Sequence, residues 1–335
     1  MNQSSCAFEI IYQTLQKNSN LTVKAMCATA DVSRSGYYAW RKAAATRAAK
    51  EQQDRKDFDL ILTAYLKHGR PKGAEQIKMT LEHEKPAIIM NVKKIRRLMK
   101  KYNLICPLRK ANPYRQLMQT LRTNNTKENI LQRQFEEYGP RMILLTDITY
   151  LPYAGTHAYL STIIDAYTKQ ILSYVLSTNL EVEFVLETVN QLKERHGNTL
   201  YPETILHSDQ GCHYTSYKYI ELLKKYHIRQ SMSRKGNCWD NAPQESFYGH
   251  MKDYIGSELK KALTFDEVKQ IVDGYMDYYN NNRYQWKLAK LSPNEFYEFV
   301  RTGVYPLAVP HVPTIPEIPR TPEELGTCID DYLLR

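Results

Sequence analysis

The chain reads as an α/β core preceded by all-helical modules, and three observations predict it. Between 141 and 178, the segments Met142–Tyr150, Tyr159–Asp165 and Gln170–Ser177 are rich in Ile, Leu, Val, Thr and Tyr, with turn residues Gly155 and Thr168-Lys169 between them. Beyond 178, helical and strand-like patterns alternate. Upstream of 140, apolar residues recur at helical spacing among many lysines and arginines.

Residues 1–56 are expected to form a helix-turn-helix region. Thr22–Ala30 reads as one helix, Asp31-Val32 as the turn, and Ser33 as the cap of a second helix, Arg34–Lys42. A second helix of this kind lies in the DNA major groove, which makes Arg34, Arg41 and Lys42 candidate contacts; an ordinary helical hairpin is the competing reading. Residues 57–110 form a second helical, helix-turn-helix-like module, with helices at Gly73–Leu81 and, capped by Asn91, at Val92–Tyr102. In the latter, Val92, Ile95, Leu98, Met99 and Tyr102 make an apolar stripe. Lys93, Lys94, Arg96, Arg97 and Lys100 are left outward as candidate phosphate contacts. From Asn91 to Lys127 there are eleven Lys or Arg and no acid, and 111–139 reads as a basic linker.

The core is expected at 140–262. Three strands with short connections predict an antiparallel meander, followed by a helix with Val182, Val185, Leu186, Val189 and Leu192 on one face. Strand Glu203–His207, helix Ser216–Tyr226, strand Arg229–Met232 and a long helix from about Pro243 complete it. The order βββαβαβα is that of the ribonuclease-H-like fold, a mixed five-stranded sheet with helices. A helical extension (263–302) and a proline-rich tail (303–335) follow. Pro310, Pro313, Pro316, Pro319 and Pro322 recur with the repeat of a polyproline II helix. Two readings stand: a disordered tail, or a strap docked through Val309, Val312, Ile315 and Ile318.

At 335 residues with 42% hydrophobic content, two or three folded units are expected, and a net charge of +10 favours a polyanionic partner. Six scattered cysteines with no Cys-x-x-Cys pair argue against a disulfide framework or a cysteine zinc site. No membrane-length apolar run or signal-peptide pattern is visible, so the expected location is the bacterial cytoplasm, at the nucleoid.

Three acids carry the chemistry. Asp147 sits mid-strand on the face of Leu145 and Thr149, where an ionised carboxylate is costly unless paired or metal-bound. Asp209 follows a strand, and Glu245 comes after a gap of 35 residues, in the first turn of a helix that also carries Lys252 seven positions on. Hard divalent cations take oxygen ligands, and a pair of them suits in-line attack on phosphorus. Asp165 is a fourth acid to weigh, as a catalytic group or as a turn and ion-pair residue. His207 and His213 flank Asp209 and are read chiefly as hydrogen-bonding groups. Asp240 is read as a cap and Trp239 as packing.

Leu145-Thr-Asp-Ile-Thr-Tyr150, His207-Ser-Asp-Gln-Gly211 with Tyr214-Thr-Ser216, and Asn237-Cys-Trp-Asp-Asn-Ala-Pro-Gln-Glu-Ser-Phe247 closely resemble the catalytic core of insertion-sequence transposases of the IS-three family. That core belongs to the retroviral-integrase-like superfamily. The resemblance extends to Val32–Trp40, to Tyr278-Tyr-Asn-Asn-Asn-Arg283 and to Leu291–Asn294, covering roughly residues 8–300. It implies a metal-dependent DNA transposase in which Asp147, Asp209 and Glu245 bind two Mg²⁺ ions, with Mn²⁺ as a substitute, and Lys252 contacts DNA. Strand cleavage at an element end would free a 3′-OH that attacks another phosphodiester, with inversion and no covalent enzyme–DNA intermediate. The implied partners are double-stranded terminal repeats and target DNA, with a dimer or larger homo-oligomer holding paired ends. Departures are Leu144 where the family has Trp, Cys212 and His213 after the second acid, and Lys72–Ile77 where Tyr and Arg are usual. No sustained heptads are visible, so the chain resembles the second-reading-frame portion, with an upstream-frame partner or fusion segment. A regulator with a dead core and a stand-alone nuclease are the rival readings. Intact acids argue against the first, and the basic modules exceed what the second requires.

Overall fold

In the computed structural model the described residues are 3–17, 20–107, 138–202, 204–232, 242–310 and 312–315. Trp239, Asp240, the Asn241 cap, nearly all of the 111–139 linker, and Pro316, Ile318, Pro319 and Pro322 of the tail lie outside them. The helices before the sheet are α1 (Gln3–Lys17), α2 (Val23–Thr29), α3 (Arg34–Lys42), α4 (Ala44–Leu66), α5 (Ala74–Glu82) and α6 (Val92–Lys101). Contacts divide the chain into two compact units, residues 1–64 with 93–104, and 65–92 with 105–335.

In the smaller unit Phe8, Ile11, Cys27 and Tyr37 form a core shared by α1, α2 and α3. The local signals act as their chemistry dictates. Thr22 Oγ1 accepts the Ala25 N–H at 3.2 Å, Ser33 Oγ accepts the Gly36 N–H at 3.0 Å, and Asp31 takes φ 50° in the turn. Gly36 admits α1 closely, since a Cβ there would stand 3.0 Å from Phe8 Cζ. Helix, turn and helix over 22–42 therefore stand as expected.

Two features of this unit differ from the expectation. The boundary placed at 56/57 falls inside the continuous helix α4, whose run of Ala, Lys, Glu and Gln carries no break signal. The module grouped at 57–110 is divided, with α5 in the larger unit and α6 in the smaller. The outward basic face of α6 is also partly a seam. Arg97 makes a bidentate pair with Asp54 of α4 at 2.6 and 2.8 Å, Lys94 meets Asp57 at 2.5 Å, and Lys101 meets Asp54 at 2.9 Å. The balancing acids lie some 40 residues upstream, outside any local window.

The larger unit is built on a five-stranded sheet ordered β3-β2-β1-β4-β5, with β1 Ile143–Tyr153, β2 Thr156–Asp165, β3 Ile171–Ser177, β4 Ile205–Ser208 and β5 Arg229–Met232. β1, β2 and β3 form the expected antiparallel meander, and β4 and β5 run parallel to β1, which makes the sheet mixed. Ala154 and Gly155, at φ 43° and 77°, make the two-residue hairpin whose twist matches the strands. Helices α7 (Val182–His196) and α8 (Tyr217–Lys225) cover one face through Phe184, Val185, Leu192, Tyr219 and Leu223 against Leu144, Ile163 and Leu206.

The other face packs against α9 (Ala242–Leu259) and α10 (Phe265–Asn282). Phe247, Met251, Ile255, Val268, Val272 and Tyr275 join Leu145 and Leu160 there in one core. The segment expected as an extension thus shares the sheet's own core. The Tyr278–Arg283 motif is structural: Tyr278 and Tyr279 are buried, and Asn280 pairs through its amide with both the N–H and the carbonyl of Ile171, at 3.0 and 2.8 Å. Asn280 so satisfies the open edge of β3. α5 docks here through His83, stacked 3.5 Å from Tyr284 with Nε2 3.3 Å from Glu295 on α11 (Pro293–Thr302). Lys72 is buried, its ammonium donating to the Tyr65 and Arg70 carbonyls at 3.2 Å each. That ties down the segment departing from the family pattern. In the described part of the tail, Ile315 packs on the cluster of Leu288, Leu291, Phe296 and Phe299.

Candidate active site

β1 carries Asp147 into the space beside α9, two residues beyond Leu145 on the same strand face. The carboxylate is partly buried, and its Oδ1 accepts the N–H of Ile148 at 2.8 Å. Burial pushes its pKa up to about 7. The negative charges of Asp209 and Glu245 push the same way, while the Ile148 N–H and the Lys252 ammonium oppose them. Asp209, Glu245 and Lys252 come from other elements, and each acts on Asp147 through space. Among the described residues, however, no three His, Cys, Asp or Glu side chains converge closely enough to hold a metal ion as they stand. The acids share a field rather than a closed cage.

Asp209 leaves the C-terminal end of β4, where side chains of a sheet project past the last ladder bond. Its Oδ1 accepts the Gly211 N–H at 2.9 Å, which sets the carboxylate's direction. A Cβ on Gly211 would come 2.9 Å from that oxygen. Gly211→Ala is therefore expected to displace the Asp209 carboxylate, a shift that a structure of the variant measures. Glu245 is exposed in the first turn of α9, and Lys252 lies two turns on along the same helix. Desolvation pulls the Lys252 pKa below that of an ordinary lysine, against the pull of Asp147.

The neighbouring imidazoles have other work. His207 is buried, hydrogen-bonds through Nδ1 to Ser231 Oγ at 3.0 Å, and is pushed by burial down to about 4, so it is neutral. His213 reaches the Leu180 carbonyl at 3.3 Å. The donor set left is oxygen only, which fits Mg²⁺ or Mn²⁺ and not zinc. Asp165 belongs elsewhere, fully buried against Arg141 at 2.8 Å. Sequence reasoning passed over Tyr248 and Thr162 and read Gln244 only as the partner of the Asn241 cap; all three are buried polar groups of α9 and β2 around Asp147. The spacing of Gln244 and Tyr248, one helical turn, was the available signal.

The basic candidates separate into two kinds. Arg34, Arg41 and Lys42 of α3 are exposed, as is Tyr38 between them. On α6, Lys93, Arg96, Arg97 and Lys100 are exposed, and Lys94 and Arg97 pair with Asp57 and Asp54 of α4.

Comparison with known proteins accords with this architecture. The family described as integrase core domain matches residues 137–238 and again 226–293, and an HTH-like domain matches 51–112. The chain is 34% identical to a putative transposase, InsK, for insertion sequence element IS150 of Escherichia coli, over 67% of this chain and 76% of that one. It is 35% identical to a transposase-like protein of Haemophilus influenzae, over 62% of this chain and 92% of the relative. It is 28% identical to the transposase InsF for insertion sequence IS3A of Escherichia coli, over 85% and 97%. Among solved structures, the HTLV-2 integrase catalytic core in complex with magnesium aligns at 14% identity over 47% of this chain and 97% of that one, with a TM-score of 0.37. No helix among the described residues is long and apolar enough to cross a membrane. With an integrase core, an HTH-like domain and relatives matched over most of their length, the chain belongs to the IS-three family of insertion-sequence transposases.

Proposed function

We propose that Asp147, Asp209 and Glu245 hold two divalent ions, Mg²⁺ with Mn²⁺ as a substitute, for cleavage and strand transfer at the ends of an insertion sequence. One observation carries the reading: a half-buried carboxylate raised to about 7 feels two further acids and a lysine delivered by other elements. Such an arrangement is costly for folding alone and suited to a cationic guest. When bound, the metal supplies Lewis acidity and neutralises charge on the phosphate. The chain's own groups do the rest. The Gly211 N–H orients Asp209, the Ile148 N–H holds one oxygen of Asp147, and Lys252 offers an ammonium to a DNA phosphate beside them.

In the first step a water oxygen bonds to phosphorus as the bond to the 3′ oxygen breaks, and that oxygen leaves protonated. In the second, the freed 3′-OH takes the place of water at another phosphodiester. Each displacement is in line and inverts phosphorus. Two ends must be held together, so a dimer or larger homo-oligomer is the working form, at the nucleoid where its DNA lies. An upstream-frame partner or fusion segment remains part of this reading. The test supplies the purified chain with duplexes bearing its element's ends, with and without Mg²⁺ or Mn²⁺. Joined strands are expected; cleavage without joining would make it a nuclease, and binding without chemistry a regulator.

DNA ends are engaged by the helical regions, through Arg34, Arg41 and Lys42 on α3 and through Lys93, Arg96 and Lys100 on α6. Lys94 and Arg97 pair with Asp57 and Asp54 of α4. Arg34→Ala and Arg41→Ala are each expected to weaken duplex binding and to reduce its salt slope by about 1. Arg97→Ala is expected instead to lower thermal stability, because Asp54 is buried and would lose its bidentate partner. Fluorescence anisotropy across a salt series, beside thermal melts, separates the two outcomes.

A further inference from the structure

Tyr248 lies on α9 one turn past Glu245 and one turn before Lys252. Its hydroxyl donates to the main-chain carbonyl of Asp147 at 2.6 Å and stands 2.8 Å from Thr162 Oγ1. Tyr248 has one hydroxyl proton, and the Asp147 carbonyl takes it. Thr162 must then donate to Tyr248. Thr162 in turn accepts from Gln244 Nε2. The hydrogen bonds therefore all run one way, from Gln244 through Thr162 and Tyr248 to Asp147. Thr162 sits directly opposite Asp147 in the β1–β2 register, and Gln244 immediately precedes Glu245.

Burial makes this relay consequential. Gln244 and Thr162 are fully buried and Tyr248 nearly so, among the apolar side chains of Phe247 and Met251. Apolar packing is non-directional and leaves a helix free to slide or roll by small amounts on a sheet. Directional hydrogen bonds in a low-dielectric interior do not. The relay grips α9 on both sides of Glu245 and ties it to the backbone of the residue bearing the first acid.

We infer that Gln244, Thr162 and Tyr248 are positioning residues that hold Glu245 and Lys252 in register with Asp147 and thereby set the chain's affinity for divalent metal. The inference rests on the carboxylate reading above and goes beyond it by assigning the relay. Outer-shell partners of this kind change metal affinity about 10–100-fold when lost.

Tyr248→Phe, Thr162→Val and Thr162→Ser in the full chain test it. Mn²⁺ binding to the protein–duplex complex is followed by titration calorimetry, beside duplex affinity and thermal melting. Tyr248→Phe and Thr162→Val should raise the Mn²⁺ dissociation constant about 10–100-fold with a much smaller change in duplex affinity, since Lys252 is one phosphate contact among several. Thr162→Ser, which keeps the hydroxyl, should restore the parental value. A role in folding alone would lower the melting temperature without moving the Mn²⁺ midpoint, and that result overturns the inference. So does parental Mn²⁺ binding in folded Tyr248→Phe. If Tyr248→Phe does not fold, the Val and Ser variants at 162 decide by the same readout. A parent chain that neither binds Mn²⁺ nor joins DNA would instead sink the carboxylate reading beneath it.

Discussion

Asp147→Asn is expected to lower strand joining by about 10³-fold or more, at least ~4 kcal/mol in barrier, while making the folded chain more stable at neutral pH. Both outcomes follow from one placement. The carboxylate has a pKa of 3.8 when unfolded and about 7 when folded, chiefly because burial disfavours its charge. Below pH 3.8 both states are protonated and the site contributes nothing. Between 3.8 and 7 the native state binds more protons than the unfolded one, so stability falls as pH rises, and above 7 the penalty stays constant. The full difference corresponds to at most about 4 kcal/mol. An amide carries no charge to desolvate, so the variant should lack this slope. Denaturant unfolding of both proteins at pH 5 and pH 8 measures it, in buffer free of divalent metal. Joining that survives in Asp147→Asn would refute the catalytic assignment. An identical pH slope in both proteins would refute the electrostatic account of the site.

Removing Asp165 should cost roughly 3–5 kcal/mol of stability, a fall in melting temperature of roughly 6–20 °C. Asp165 is fully buried at the end of β2 and has no access to water. One oxygen accepts from the Arg141 side chain at 2.8 Å and from its main-chain N–H at 3.0 Å; the other accepts the Tyr167 N–H at 2.9 Å. The Arg141 guanidinium also lies 4.2 Å from the ring of Tyr297 on α11, and its carbonyl accepts from Thr204 Oγ1 at 2.8 Å beside β4. Asp165→Ala strands a buried cation and frees four donors at once, the Thr168 N–H at 3.4 Å being the fourth, which explains the size of the effect. The double change Arg141→Met with Asp165→Leu should recover part of the loss, since no lone charge remains. Thermal melts of the parent chain, Asp165→Ala and the double variant provide the measurement. Lost joining at normal melting temperature would make Asp165 catalytic and defeat the structural assignment.

Features written in short stretches of chain were legible. Ser33 and Thr22 cap their helices because a side-chain oxygen reaches an N–H three residues on. The meander of β1, β2 and β3 follows from alternating apolar residues and close turns, and Ala154-Gly155 closes its first hairpin. The motifs around Asp147, Asp209 and Glu245 pointed to the family and to the acids. What escaped was long-range. The acids that satisfy Arg97 and Lys94 sit on α4, more than 30 residues away, so a stretch with no acid of its own read as a free basic face. The first half of α4 was hidden because its polar helix formers carry no apolar stripe; the stripe of Phe58, Ile61 and Ala64 begins only further on. α5 looked like the neighbour of α6 but packs on Tyr284 and Glu295, more than 200 residues on.

The amino-acid order by itself determined most of the elements and their succession along the chain, because caps, turns and side-chain alternation act over a few residues, and its motifs marked which three carboxylates to watch. Only the tertiary structure decided which charges are spent inside the protein, that Asp165 is a strut and not a reagent, and that Tyr248 and Thr162 grip the backbone of Asp147. Those outcomes depend on desolvation and on hydrogen bonds between groups 24 to 101 positions apart, and neither has a value until the chain has closed around them.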